Sequence, residues 1–587
     1  MLYSNTPRRI WPLAVTCGAA RRPRQIFPNQ PDPPPMINKH QATLDAAVQA
    51  LHGRTFYAAF PENPSPDIYG ADADAQGREK FAAMRGQHFT ELQQGEPQGW
   101  AGQEESPYEQ KSLDIKYPFY QPETLVANAQ AAFGEWRKLK PALRAALLTE
   151  ALEGMKNRFF EIAYATMHTT GQAYMMSFQA SGPHAADRAL EAIAAGYEEQ
   201  TRFPEETRWE KPMGKYSITL NKTWRAVPKG LALVIGCSTF PTWNTVPGMF
   251  ASLVTGNPTI IKPHPKAVLP IAIVVAEVQK VLKENGLNPH ICQLAVDADD
   301  HLIAKELAEN PAIKLIDYTG GSAFGEYIEG LKGKTVFTEK TGVNSIIIDS
   351  CDDLDKVAQN LAFSVSLYSG QMCTAPQNFF IPAAGVKVGD AMVPYEDVVQ
   401  KISAAVTGLA TNPKAGPHVF GAIQSEVTHD RVKQMALDGG RTILAHGTIE
   451  NPVFQNARTC STSIHEIGSD NVEQFSQELF GPIMLVIKTK DTQESIHLAA
   501  QLAREHGAIS CGAYTTDSAI KEQIMDEMSL AGTPVSFNLT GGIYVNQNAG
   551  FSDFHVTGGN PAGNASFTNP EFVIKRFTWV GFREPVA

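Results

Sequence analysis

Positive charge is too scarce here for a nucleic-acid partner. The chain sets 50 Lys and Arg against 61 Asp and Glu, a formal charge of −11, and phosphate binding needs a basic surface. Long apolar runs are missing as well. No stretch approaches the run of about 20 apolar residues that crosses a bilayer, so no membrane partner is expected and a soluble, cytoplasmic protein is. Cysteine is sparse, 7 in 587 residues, odd in number and scattered at 17, 237, 292, 351, 373, 460 and 511. Neither a disulfide framework nor a metal site of CxxC or Cys/His spacing is expected from that pattern, and each cysteine taken alone reads as a small buried hydrophobe. What is present is an ordinary globular balance, 43% hydrophobic and 19% charged, able to fill large cores. The length suggests three or four structural units at roughly 150 residues each.

Arg8 and Arg9 precede IWPLAVTCGAA, which superficially resembles an export signal. Pro12 interrupts the apolar stretch, however, and RRPR follows where an uncharged cleavage region belongs. Residues 1–35 therefore read as a disordered extension, with the folded part beginning near Met36. Residues 36–119 are polar and rich in Gln, Gly and Pro, with helical patches such as KHQATLDAAVQALHG, and read as an irregular N-terminal layer without legible chemistry. From 122 to 200 the pattern is helical. LRAALLTEALEGMKNRFFEIAYATM carries apolar residues at three- and four-residue spacing and closes at Gly171.

The period changes after about residue 228. GLALVIG, NPTIIKP, HICQLAV, IKLIDYTG and TVFTE are short apolar runs of strand length, separated by helical segments such as AVLPIAIVVAEVQKVLKENG. This alternation predicts a parallel sheet covered on both faces. The theme repeats from 344, where the strand NSIIIDS leads to a helix capped by Asp352 or Asp353, with Leu354, Val357, Ala358, Leu361, Ala362 and Val365 on one face. A second α/β unit is expected there. Between the two units the turn YTGGSAFGEYI (318–328) follows a predicted strand and opens a predicted helix. Glycines at such a turn let a backbone approach a pyrophosphate at a helix N-terminus, though strand-to-helix turns of this composition are common in α/β proteins.

Three further pieces follow in order: FTEKTGVN (337–344), YSGQMCTAPQN (368–378) and QELFGP (477–482). With the glycine turn, with VTGNPTIIKP and with KPHP (262–265), they resemble the motifs of the aldehyde dehydrogenase superfamily over roughly residues 120–580. The interval of 34 residues from Glu339 to Cys373 matches the family's spacing. The resemblance implies a Rossmann-type cofactor domain near 120–338 (with oligomerisation strands near 205–228), an α/β catalytic domain near 339–540, and a C-terminal return and β oligomerisation arm at 541–587 in a homodimer or homotetramer. It implies Cys373 as nucleophile and Glu339 as the base of hydrolysis. Glu478 and Phe480 are implied at the nicotinamide end, Gly320, Gly321, Ser322 and Gly325 at the glycine turn, and Lys262 at the adenine ribose. The chemistry suits these types. A thiolate makes an aldehyde carbon tetrahedral and ready to lose hydride, then serves as a leaving group; a carboxylate of raised pKa activates water against the resulting thioester.

Departures from the family pattern shape three further expectations. The oxyanion donor falls on Thr239 in the ungapped register, 23 residues before Lys262, or on Asn244 in a shifted one, 18 residues before it; position favours Thr239, with the Cys373 backbone N–H as second donor. TEKTG stands where the family writes LELGG, so Lys340 and Thr341 change the packing around Glu339. Pro265 replaces the acid of KPAE. With Lys262 retained and that acid absent, NADP is expected ahead of NAD. CSTFPTWN, KPHP, TEKTGVN and SGQMCTAPQNFF look most like the family branch of phenylacetic acid degradation, which implies as substrate a ring-opened CoA-thioester semialdehyde oxidised to its acid. A CoA-acylating dehydrogenase and a catalytically inactive, dehydrogenase-like binding protein are the alternatives.

Overall fold

The apolar runs at 231–235, 259–262, 292–294, 313–319 and 335–339 pair as a five-stranded parallel sheet. The computed structural model that shows this describes residues 35–298, 300–543, 555–566 and 569–586; the N-terminal extension expected at 1–35 falls outside them apart from Pro35. The sheet order is Thr335–Glu339, Ile313–Thr319, Leu231–Ile235, Thr259–Lys262, Cys292–Leu294. The chain thus builds outward to one side of Leu231–Ile235 and then crosses to the other. The crevice between Leu231–Ile235 and Ile313–Thr319 is the switch point at which such sheets take ligands beyond the strands' carboxyl ends. Both faces are covered. Leu231, Leu233 and Ile235 pack with Leu125, Ile303, Leu307 and Ile328, while Val234 and Ile261 face helices Pro241–Val254 and Leu269–Glu284. Continuous rather than alternating apolar runs are the sequence consequence of that double burial.

The second sheet has seven strands in the order Arg441–Leu444, Ser463–Gly468, Ile483–Thr489, Asn378–Pro382, Ser345–Ile348, Cys511–Tyr514, Val535–Phe537. All neighbours are parallel except the first pair. Its helix Leu354–Ser366 begins where expected, with the Asp353 carboxylate accepting from the N–H groups of Asp355 and Lys356. The chain leaves the first sheet at Glu339 and enters the second at Ser345.

Two elements differ from the sequence reading. The helical pattern across 141–171 breaks into Pro141–Lys156 and Phe159–Thr170. At the break Arg158 turns to Glu161, Glu91 and Glu277, three carboxylates on separate segments, a gain that continuous helix periodicity does not reveal. The N-terminal layer is also less irregular than its composition suggests. Helix Pro35–Gly53 buries Leu44 and Ala47 in the same core as helices Pro141–Lys156 and Pro183–Thr201. Glu104 in that layer accepts from Val268 N–H (2.6 Å) and Leu269 N–H (2.9 Å), capping helix Leu269–Glu284 from outside.

Arg576 is one fastening of the C-terminal return. Arg576 is fully buried, donates to both carboxylate oxygens of Asp317 (2.6 and 2.7 Å) and stacks on Phe337 and Phe572. Immediately after it, Phe577–Pro585 pairs antiparallel with Ser217–Pro228, which pairs with Glu206–Pro212. This three-stranded arm exposes Tyr216, Ile218, Trp224, Val227, Val580 and Phe582.

Candidate active site

Cys373 sits on a loop under strain. After helix Leu354–Ser366, Tyr368 and Ser369 take φ of 52° and 50°, and Gly370 follows at 61°. Left-handed backbone at a non-glycine residue costs about 1–3 kcal/mol, and buried bonds hold it here: Tyr368 Oη donates to Thr170 O (2.6 Å) and Ser369 Oγ to Phe420 O (3.0 Å). Gly370 has a further reason to be glycine, because a Cβ there would lie 2.3 Å from Gly481 O of the FGP motif. The nucleophile loop and the ELFGP segment are therefore fitted backbone to backbone. Asn344 fastens the other end, its Nδ2 donating to Cys373 O (2.7 Å) and Ala375 O (3.0 Å) while its Oδ1 accepts from Ile509 and Ser510.

Glu339 ends the first sheet beside this loop. Asn244 Nδ2 donates to its Oε1 (3.1 Å), and His555 Nε2 lies 3.0 Å from its Oε2 and 4.0 Å from Cys373 Sγ. The reactive atoms of Glu339, Cys373 and His555 all fall within 4.8 Å of one another. Burial alone would raise the Glu339 carboxyl, but the charge and hydrogen bond of His555, a bond from Cys373 and the charge of Arg188 bring it below its ordinary value. The raised carboxylate expected from sequence is therefore corrected: opposing charge outweighs desolvation. The Cys373 thiol is pushed well up, by burial first and then by the Glu339 charge. Sequence reading missed His555. It lies 182 residues from Cys373 in FHVTGGN, with no spacing or periodicity to mark it.

Two openings meet at the thiol. A cavity of about 420 Å³ lies on one side, with Phe56, Met175, Met176, Trp243, Phe363 and Met372 among its walls; a groove of about 810 Å³ lies on the other. Cys373, Phe240 and Asn244 line both. The groove follows the switch point and collects Thr239, Lys262, Pro265, Gly320, Gly321, Ser322, Glu478 and Phe480. Gly325 is not in its wall; a Cβ there would meet the Lys340 side chain at 2.5 Å. Thr239 lines the groove but not the 420 Å³ cavity, whereas Asn244 reaches both and bonds Glu339.

The unusual TEKTG residues have partners. Lys340 Nζ pairs with Glu329 (2.9 Å) on the helix opened by the glycine turn, and Thr341 bonds Ser322 at that helix's first turn. Apolar residue and glycine are thus replaced by a polar tie between the catalytic strand and the glycine-turn helix. At the far end of the groove Lys262 is buried and ion-paired with Asp297, which also accepts from Ile303 N–H (2.9 Å). An acid therefore does stand beside Lys262, supplied from beyond the next strand instead of from position 265. Partly buried Glu478 is pushed up to about 7 by burial, against a bond from Gly342 N–H and the Arg431 charge.

A partly buried cysteine on a strained loop, between a cavity and a switch-point groove and with a carboxylate in reach, has the layout of a thiol dehydrogenase. The model of the aldehyde dehydrogenase family matches residues 120–562. The chain belongs to that family. A solved NAD-dependent aldehyde dehydrogenase from Burkholderia multivorans is 43% identical, with a TM-score of 0.91 over 94% of this chain and 99% of that one. A 1-pyrroline-5-carboxylate dehydrogenase from Thermus with bound NAD shares the fold at 18% identity, with a TM-score of 0.71 over 90% and 99% of the two chains. Among curated relatives, betaine aldehyde dehydrogenase 2 of Rhizobium meliloti (strain 1021) is 25% identical over 71% of this chain and 82% of its own. The 1-pyrroline-5-carboxylate dehydrogenase of Bacillus subtilis (strain 168) is 24% identical over 64% and 70%. Aldehyde dehydrogenases oxidise aldehydes to acids with NAD or NADP, and this chain is an oxidoreductase of that type. Among the described residues no helix is long and apolar enough to cross a membrane.

Proposed function

We propose that this protein oxidises an aldehyde, apolar at its reacting end, to its carboxylic acid through a thioester on Cys373. The observation that carries this reading is the meeting of cavity and groove at Cys373, with Glu339 within 4.8 Å. Cys373 attacks the aldehyde carbon from the cavity side. The oxyanion that forms is held by the Cys373 backbone N–H and by the Asn244 amide, which we prefer to Thr239 because it reaches the cavity and the hydrolytic carboxylate together. The residues in the groove fit a nicotinamide dinucleotide, with side-chain-free turn positions at Gly320 and Gly321, Glu478 to accept from ribose hydroxyls, and the Lys262–Asp297 pair at the other ribose. When bound it supplies the hydride acceptor. Glu339, kept ionised by its neighbours, then takes a proton from the water that cleaves the thioester.

NAD is the proposed cofactor, a revision of the NADP expectation. Asp297 occupies Lys262 and adds negative charge where a 2′-phosphate would have to enter. A homodimer or homotetramer formed through the exposed aromatic strands of the arm is proposed as well; a light-scattering mass of one subunit overturns it. Six free cysteines among the described residues support a reducing, cytoplasmic setting, which cell fractionation tests.

For substrate, the motif likeness to the phenylacetate branch supports a ring-opened CoA-thioester semialdehyde, and the Met- and Phe-lined cavity suits its carbon skeleton. The cavity lining contains Glu62 and no Lys or Arg among the described residues, so the CoA phosphates would stay outside and only the acyl end and its pantetheine arm enter. The retained Glu339 favours hydrolysis over acyl transfer to CoA, and the complete site argues against an inactive binding protein. The deciding experiment compares two variants with an aldehyde and NAD. Cys373→Ala should lose both cofactor reduction and any acyl adduct. Glu339→Gln should give at most one equivalent of reduced cofactor and then stall, with a thioester on Cys373 visible by mass spectrometry. Full turnover by Glu339→Gln, or an adduct on Cys237, overturns the reading.

A further inference from the structure

The nucleophile and the hydrolytic base make conflicting demands on charge. To attack, Cys373 must lose its proton, yet its partly buried thiol bonds the Glu339 carboxylate, which must be ionised to work on water later. Two negative charges side by side in a buried site disfavour each other unless a cation stands between them. Neither Asn244, a neutral donor to Glu339, nor the loop backbone supplies one. Arg188 acts on Glu339 by charge, but its guanidinium is stacked 3.6 Å over the Trp243 ring. Among the described residues His555 is the side chain whose single nitrogen reaches both partners, at 3.0 Å from Glu339 Oε2 and 4.0 Å from Cys373 Sγ.

We propose that His555 is a further catalytic residue, which takes the Cys373 thiol proton and, as imidazolium, holds thiolate and carboxylate together. The proposal rests on the assignment of Cys373 and Glu339 made above. In the step the S–H bond breaks, its electron pair stays on Sγ, and the proton goes to the imidazole, so that a thiol and a neutral ring become a thiolate and an imidazolium with no other reagent. The Nε2–H then faces Glu339 Oε2 and Sγ together. Because hydride loss consumes no proton and thioester cleavage regenerates the thiolate, that proton stays on His555 through the cycle. Glu339 is left free to receive the proton of water. Division of labour follows: one base for the thiol, another for hydrolysis.

The ring is positioned for this role. It packs edge-on against Trp243 (centroids 5.0 Å apart, 71° between planes), and the Trp243 ring is in turn covered by Arg188. Val556, beside it in the chain, joins Ile509 and Ala562 in a small buried cluster that Cys373 packs against. Among the described residues the charged and titratable groups acting on the thiol and carboxylate are His555, Arg188, Cys237 and Glu478, and of these four His555 touches both.

Alkylation of Cys373 by iodoacetamide reads its thiolate directly, in the enzyme without cofactor or substrate and independently of the reaction proposed. Site-resolved mass spectrometry across pH 5 to 10 should show Cys373 of the wild type already reactive below the ordinary thiol range of about 8.5. In His555→Gln the rate at pH 7 should fall about tenfold or more and the midpoint should move up by about one unit or more. His555→Ala should recover part of that rate with added imidazole, which repairs a lost base and not a lost packing contact. A wild-type profile with a single midpoint at or above the ordinary thiol value overturns the proposal even if no variant folds, as does a His555→Gln profile that superimposes on the wild type. If instead no aldehyde supports cofactor reduction while the alkylation profile shifts as described, the function reading fails and the role of His555 stands.

Discussion

Asp297 is the residue on which the choice between NAD and NADP turns, and Asp297→Asn tests it. The Lys262–Asp297 pair is buried on both sides, with 6% and 5% of the two residues exposed. Removing one partner of a buried pair leaves the other uncompensated, at a cost of about 3–5 kcal/mol. Asparagine keeps the acceptor for Ile303 N–H, so the loss centres on the Lys262 ammonium. A phosphate ester brought to that ammonium restores a counter-charge. For unit charges about 5 Å apart at an effective dielectric of about 20 the interaction is about 3 kcal/mol. In the wild type Asp297 opposes an incoming phosphate by a similar amount. After screening, the variant should move the NADP-to-NAD ratio of kcat/KM by about 2 kcal/mol, roughly thirtyfold. Steady-state rates with both cofactors measure this, and thermal shift gives a second view: Asp297→Asn should melt below the wild type without cofactor and gain more from NADP than from NAD. The reasoning fails if the wild type already uses NADP better than NAD, or if the ratio is unchanged in the variant.

Glu478 gives a pH dependence. Its folded pKa is raised to about 7, and only the carboxylate accepts from both ribose hydroxyls, so NAD binding should favour the charged form. The KM for NAD should therefore fall as pH rises through about 7, and Glu478→Gln should flatten that slope; an unchanged slope in the variant would point to another group. Arg576→Ala should strip Asp317 of its fully buried partner and lower stability by about 3–5 kcal/mol. The double change Arg576→Met with Asp317→Leu should lose less than the single one, because no unpaired charge remains. Thermal unfolding followed by circular dichroism ranks the three proteins, and a single variant that melts with the wild type contradicts the role assigned to the pair.

What could be read from the chain alone was whatever is encoded locally. The strands of the first sheet were legible because burial on both faces makes each an unbroken apolar run, and the Asp353 cap was legible because a short acceptor precedes an amphipathic pattern. The order Glu339, Cys373, Glu478 was legible as motifs. Partners from distant segments were not. Pro265 suggested a missing acid because the family acid lies on the same strand end as Lys262, whereas here Asp297 reaches in 35 residues later. Spacing from Lys262 left Thr239 and Asn244 as alternatives and favoured Thr239; the amide that meets Glu339 is that of Asn244, in the first turn of the following helix. Arg158 breaks a helix whose periodicity runs straight through it, for the sake of carboxylates at 91, 161 and 277.

These long-range partners follow from where the site is built. Glu339 is the last residue of one sheet and Cys373 lies just ahead of a strand of the other, so neither sheet can set their separation alone. The C-terminal return does. Gly563 bridges to Glu339, Lys340 N–H donates to Ala562 O, Asn564 Oδ1 accepts from Thr338 N–H (2.8 Å), and His555 stands between base and nucleophile. Arg576, twelve residues beyond Asn564, anchors the same return beneath the glycine-turn strand through Asp317. A change at Arg576 should therefore be felt at Cys373 as a change in thiol reactivity. Packing that loosens the return lets Glu339 and the nucleophile loop move with their separate sheets, and a displacement of about 1 Å can cost on the order of a hundredfold in rate.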